Sequence, residues 1–131
     1  MITDGDLLAA IDSCRRSLKP GARLLADNYE DTRIQKTHYF NSTIKVADKG
    51  SVISRVSTTE FVSSSPFCVT VRASYSGNLH GHDFEFDDVI AHRAFSRTEF
   101  ARHLSDGRLR VIDQGDNFDE TSFYTVALRE S

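Results

Sequence analysis

His80-Gly81-His82-Asp83-Phe84-Glu85 is the stretch whose residue types are best suited to chemistry, with two imidazoles and two carboxylates close together. Histidine nitrogens and a carboxylate are common metal ligands, which makes His80, His82 and Glu85 the candidate metal set. Only two residues separate His82 from Glu85, and no later histidine completes a ligand set. The same residue types also make an exposed polar turn. Nucleophilic catalysis has no comparable signal. Ser63-Ser64-Ser65 lacks a G-x-S-x-G elbow, and neither Cys14 nor Cys68 has a neighbouring histidine in sequence. The glycines stand at 5, 21, 50, 77, 81, 107 and 115, so the chain has no G-x-G phosphate or dinucleotide loop.

Composition narrows the classes. A chain of 131 residues with 39% hydrophobic and 27% charged residues is an ordinary globular one, and one domain is the expectation. A formal charge of -3 argues against a protein that grips a nucleic-acid backbone. The two cysteines form no C-x-x-C pair, and with no signal peptide they are expected to be reduced in a cytoplasmic protein. No apolar run approaches the roughly 20 residues that span a bilayer.

The elements that must position these side chains follow from periodicity and punctuation. Thr3 and Asp6 have capping-box spacing, and Leu7, Leu8, Ile11, Cys14 and Leu18 make one apolar stripe, predicting a helix over 4–18. Pro20-Gly21 ends it, and Leu24-Leu25-Ala26 predicts a strand over 24–28, apolar enough to be covered on both faces as in a parallel sheet. Residues 29–33 are expected to be loop at the carboxyl end of that strand, where ligands of open α/β sheets sit. Thr, Val, Ile and Phe then dominate 39–46 and 52–62, with Asp48-Lys49-Gly50 as a hairpin turn and 63–66 as the next. Phe67, Val69 and Val71 alternate with Cys68, Thr70 and Arg72 in a half-buried strand, and 83–92 adds a fourth. Phe84, Phe86 and Phe95 are expected to fill core. Ser96 and Glu99 form a second capping box, with Phe95 and Phe100 at staple positions. That helix is expected to reach Leu104, with Gly107 in a left-handed cap, followed by strands over 109–112 and 123–128 and a loop starting at Gln114. The expected organisation is a single domain, 1–131, in three segments: helix-Pro-Gly-strand (1–33), antiparallel cap (34–93), and helix with two terminal strands (94–131).

Two parts of this order carry a resemblance. Leu18-Lys19-Pro20-Gly21-Ala22-Arg23-Leu24 is similar to the passage from the fourth helix to the fifth strand of class I S-adenosylmethionine-dependent methyltransferases, with Ala22 in place of a second glycine. The ending resembles that fold's last helix and two strands: a Phe95-Ser96-Arg97-Thr98-Glu99-Phe100 helix start, then Tyr124-Thr125-Val126-Ala127-Leu128-Arg129. The antiparallel block between them resembles the substrate-side cap of several small-molecule methyltransferases. The resemblance implies an α+β chain, a partial Rossmann-like fold equivalent to the C-terminal half of that family. The family's Gly-rich loop and acidic ribose ligand lie in the other half, so no cofactor-binding residue transfers to this chain.

The implied function is methyl transfer to a small molecule in the complete enzyme. S-adenosylmethionine is its cofactor, and the chain alone is expected neither to bind it nor to be active. A histidine or tyrosine near the acceptor often removes or orients a proton, because imidazole titrates near neutrality. That makes His80, His82 and His92 candidate catalytic residues and Tyr29, His38 and Tyr39 candidate substrate contacts. The strand from Leu24 to Asn28 would expose an edge, predicting a homodimer or a partner chain paired with it. Two alternatives stand beside this reading. One is a non-enzymatic small-molecule-binding or dimerisation module with an apolar pocket on its antiparallel sheet. The other is a metal protein, since His80-Gly81-His82 followed by Glu85 partly resembles the cupin pattern.

Overall fold

The computed structural model describes residues 2–37 and 40–131, a mixed α/β chain whose strand pairs are mostly antiparallel. It divides into two compact units, Met1–Thr37 with Arg93–Ser131, and His38–His92.

In the first unit, α1 (Asp4–Ser17) begins at the expected capping box: the Asp6 amide donates to Thr3 Oγ1 at 3.1 Å and the Thr3 amide to Asp6 Oδ2 at 2.9 Å. Arg129, from the end of the chain, closes the other terminus by donating to the carbonyls of Arg15 and Leu18. Gly21 then turns the backbone at a φ of 83°, which a side chain would resist. The next strand, β1 (Arg23–Tyr29), is not the doubly covered parallel strand expected. It lies at the edge of a three-stranded sheet and pairs antiparallel with β7 (Ser122–Leu128), whose other neighbour is β6 (Arg110–Asp116). Leu24 and Ala26 pack on the core, whereas Leu25 between them is 71% exposed. Three apolar residues in a row therefore serve one buried face and one open face, a distinction their types do not encode.

Residues 29–33 depart from the expected loop. After Glu30, α2 (Asp31–Thr37) forms with Asp31 in its first turn and Ile34 buried. A Glu30–Arg33 pair at 2.7 Å braces its start. In α3 (Arg97–Asp106), Ser96 accepts from the Glu99 amide at 3.0 Å, and Phe95 and Phe100 lie 5.2 Å apart as a staple. Gly107 is not left-handed: its φ is -82°, and Arg108 takes the positive value of 64°. The glycine is needed for closeness instead, because a Cβ there would stand 2.3 Å from Ile11 Cγ2, where α1 meets α3. β6 also extends through Gln114 to Asp116, where a loop was expected. Gln114 stays in the strand because its amide donates to the fully buried Thr125 hydroxyl at 3.0 Å, and Gly115 admits the Tyr124 ring. Ile11, Phe95, Phe100, Leu104, Leu109, Phe123 and Ala127 form the core of this unit.

The second unit is a four-stranded antiparallel meander, β2 (Ser42–Asp48), β3 (Ser51–Ser64), β4 (Phe67–Leu79) and β5 (His82–Ala94), the last strand running on into the first unit. Consecutive positive φ values at Lys49 and Gly50, and again at His80 and Gly81, identify two tight hairpin turns. Cys68 does not face out as its alternation suggested: it is 3% exposed, within a buried run from Phe67 to Val69. A small thiol behaves there as a core residue.

Candidate functional site: a polar cleft at the carboxyl ends of β1 and β6

β1 and β6 both run antiparallel to β7, so they are parallel to each other and their carboxyl ends finish on one side. The α3 N-terminus lies there too, because Gln114 of β6 donates to the Arg97 carbonyl at 3.1 Å. Phe95, just before α3, joins the end of β1: its amide donates to the Tyr29 carbonyl at 3.0 Å and its carbonyl accepts from Asp31 at 3.1 Å. Along the rest of that edge, no strand pairs with β1 among the described residues.

Charge is concentrated at this end. Arg33 binds Glu30 at 2.7 Å and Asp116 at 3.0 Å, while Arg97 binds Glu30 at 3.2 Å and also reaches Asp116. The Arg97 hydrogen bond, then that of Arg33, holds the Asp116 carboxyl below its usual range, and the same bond raises Arg97. Beside this ring is a cavity of about 250 Å³ lined by Asp27, Asn28, Tyr29, Arg93, Asp119 and Ser122. Asp119 accepts from the Thr121 amide and hydroxyl, the latter bond being the main reason its pKa is lowered. Asp27 accepts from the Asn117 side-chain amide.

Arg93 has a side chain only 2% exposed. Its guanidinium spans Asp4 of α1 at 2.7 Å and Glu99 of α3 at 3.0 Å, and rests 4.8 Å over the Phe95 ring. Glu99 is thereby drawn away from completing the second capping box. Arg93 Nε and Asn28 Nδ2 are both buried without a hydrogen-bond partner. Each is costly to leave unpaired, and the cavity itself is lined by two carboxylates, Asp27 and Asp119, beside the polar side chains of Asn28, Tyr29 and Ser122. Among the described residues no histidine lines this cavity to activate the Ser122 or Tyr29 hydroxyl.

The sequence-derived candidates scatter. Tyr29 lines the cleft. His38 and Tyr39 lie outside the described residues. His80 and Gly81 form the β4–β5 turn, with His82 and Glu85 following on β5. Among the described residues no group of three potential ligands gathers to hold a metal. His92 stacks on Phe40 at 4.7 Å, and burial pushes its imidazole below the ordinary value. Asn28, Arg93, Asp119 and Ser122 carried no local motif; only their position near strand ends or, for Asp119, in the β6–β7 connection could have marked them.

No family profile and no curated protein matches the sequence. Solved structures do match its fold. An S-adenosylmethionine-dependent methyltransferase from Clostridium acetobutylicum superposes with a TM-score of 0.76 at 15% identity, over 100% of this chain and 54% of that one. The sugar N-methyltransferase KedS8 from Streptoalloteichus gives 0.75 at 16%, over 98% and 51%. Streptomyces venezuelae DesVI gives 0.76 at 19%, over 96% and 52%. The chain is methyltransferase-like in fold and spans about half the length of these structures. Among the described residues no helix is long and apolar enough to cross a membrane.

Proposed function

We propose that this chain is the acceptor-binding side of a class I, Rossmann-like methyltransferase, equivalent to the C-terminal half of the complete enzyme. One observation carries the reading: the whole chain superposes on methyltransferases of about twice its length while building a ligand-suited cleft of its own. In this reading, polypeptide outside these 131 residues supplies the cofactor side and pairs with the open edge of β1 from Leu24 to Asn28.

The residues present do not fit S-adenosylmethionine. The turn from β1 into α2 carries Glu30, already held by two arginines, and no glycine lets backbone approach a ligand there. We therefore assign the chain only the acceptor's side of the reaction. Asn28 and Ser122 bind an acceptor oxygen from the cleft wall, and Asp27 and Asp119 face an amine or hydroxyl. Tyr29 orients it from the end of β1. Catalysis on this side is positioning, by which a fixed geometry replaces a chance encounter. Because KedS8 is a sugar N-methyltransferase by name, an amino sugar is the acceptor class to test first.

The test is a backbone amide titration by NMR with glucosamine. Shifts clustered at Asn28, Tyr29 and Ser122, lost in Asn28→Leu, are expected; unperturbed cleft residues overturn the site. The reading as a non-enzymatic binding module rests on a different observation, an apolar hollow in the second unit lined by Ile53, Tyr75, Leu79, Phe84 and Phe86.

A further inference from the structure

We propose that the apolar hollow of the four-stranded sheet, with Arg55 beside it, is a binding site for a small amphipathic anion, a compact aromatic or alkyl body carrying one anionic group. The pairing register puts Ile53 opposite Gly77 and Arg55 opposite Tyr75, and alternation turns all four positions toward one face. Gly77 contributes no side chain, and a hollow of about 400 Å³ lies between its same-face neighbours Tyr75 and Leu79. Ile53, Phe84 and Phe86 complete the wall, with Phe86 stacked on Tyr75 at 4.7 Å. That volume falls within the about 300–1,000 Å³ of small-molecule sites, and an aliphatic and aromatic lining is their usual character.

Arg55 supplies the charge. It stands across from Tyr75 and two residues along β3 from Ile53, both of which wall the hollow. Among the described residues its guanidinium makes no hydrogen bond or ion pair. Only Nε is buried in that unpaired state, so the two terminal nitrogens are open to a ligand. Alternation puts the carboxylates Asp48 and Asp88 on this face as well, yet neither forms an ion pair with Arg55. Arg72, by contrast, faces the opposite side and has Asp87 at 3.8 Å. A guanidinium set in an apolar surface is costly to leave unpaired, and its planar donors match the oxygens of a carboxylate, sulfonate or phosphate.

Size favours a small molecule over a macromolecule here. The open face is about 19 Å wide and about 17 Å long from strand spacing and rise, roughly 320 Å², against about 800 Å² a side in a stable protein interface. A ligand needs only the hollow. Its rings or chain occupy the space left by Gly77, between Tyr75, Leu79 and Phe86, and its anionic group reaches past Tyr75 to Arg55. A neutral molecule leaves the arginine unpaired, and a cation is repelled by it. The inference rests on the hollow behind the binding-module reading and uses nothing of the polar cleft, so its failure leaves the acceptor assignment intact.

Fluorescence titration of the full chain with two dyes tests it. Anilinonaphthalene sulfonate carries the anion, and N-phenylnaphthylamine has the same rings without it. Saturable binding of one sulfonate dye per chain is expected, tighter than the neutral dye by about tenfold or more. Arg55→Gln should remove that preference and leave the neutral dye unchanged. Phe86→Ser and Leu79→Ser, at side chains 53% and 44% exposed, should weaken both dyes with an unchanged circular dichroism spectrum. Arg72→Gln, on the opposite face, should alter neither. The proposal is overturned by the absence of saturable binding, by equal affinity for the two dyes, by a preference that survives Arg55→Gln, or by binding that survives both hollow variants.

Discussion

The two units differ in how many of their large apolar residues stay exposed. In the first, a short sheet lies under α1 and α3, and Phe123, Leu104 and Leu109 are at most 1% exposed. In the second, strands of up to 14 residues carry no helix among the described residues, and although Phe67, Val69 and Val71 are buried, Ile44, Val46, Phe61, Phe86 and Ile90 remain 44% to 59% exposed. A helix gives a sheet face a dry interior; without one, the same residue types make a surface that other molecules can use. The first unit accordingly holds the helix-covered core and the polar cleft, and the second holds an open apolar face.

Truncation in the two units sharpens that contrast most. Leu104→Ala removes a fully buried side chain and should cost about 2–5 kcal/mol in thermal or urea unfolding. Leu79→Ala, 44% exposed, should stay within about 0.5 kcal/mol. Equal losses would erase the distinction between the units. Gly77→Ala is the exception that the second unit should show. At a φ of 155° its new Cβ would stand 2.0 Å from the Val52 carbonyl oxygen, so a loss of about 1–3 kcal/mol is expected. Ser96→Ala, which removes the α3 cap, should cost about 1 kcal/mol, rescued in part by Ser96→Asp.

The smallest effect concerns pH. Asp116 titrates below its unfolded-state value, first through Arg97 and then Arg33. Its contribution is therefore complete above the unfolded carboxylate pKa of about 3.9 and is lost as pH falls through the lower folded value. Asp116→Asn should flatten the acid limb of a stability–pH curve there and leave the curve near pH 7 parallel to the parent's. The carboxylate is largely exposed, so the change is modest and should shrink further in high salt.

What could be read from the sequence was whatever depends on near neighbours. Thr3 with Asp6, Ser96 with its staple phenylalanines, Lys49-Gly50 and Gly21 all do what their types and spacing predict. Where the reading failed, the deciding partner was distant. Leu25 is exposed because nothing covers its side of β1, Gly107 is dictated by Ile11 of another helix, and Gln114 is held in a strand by Thr125. The cleft was harder still. Arg93 binds Asp4 across 89 positions, and the unpaired amide of Asn28 is a property of burial alone. The likeness to half a methyltransferase was legible because element order survives when single motifs do not.

Calorimetry of the isolated chain with S-adenosylmethionine tests the central claim most directly. A chain that contributes the acceptor side alone should give no binding heat at micromolar ligand. A saturable micromolar isotherm would mean that these 131 residues build a cofactor site of their own, and the assignment of the cleft to the acceptor would fall.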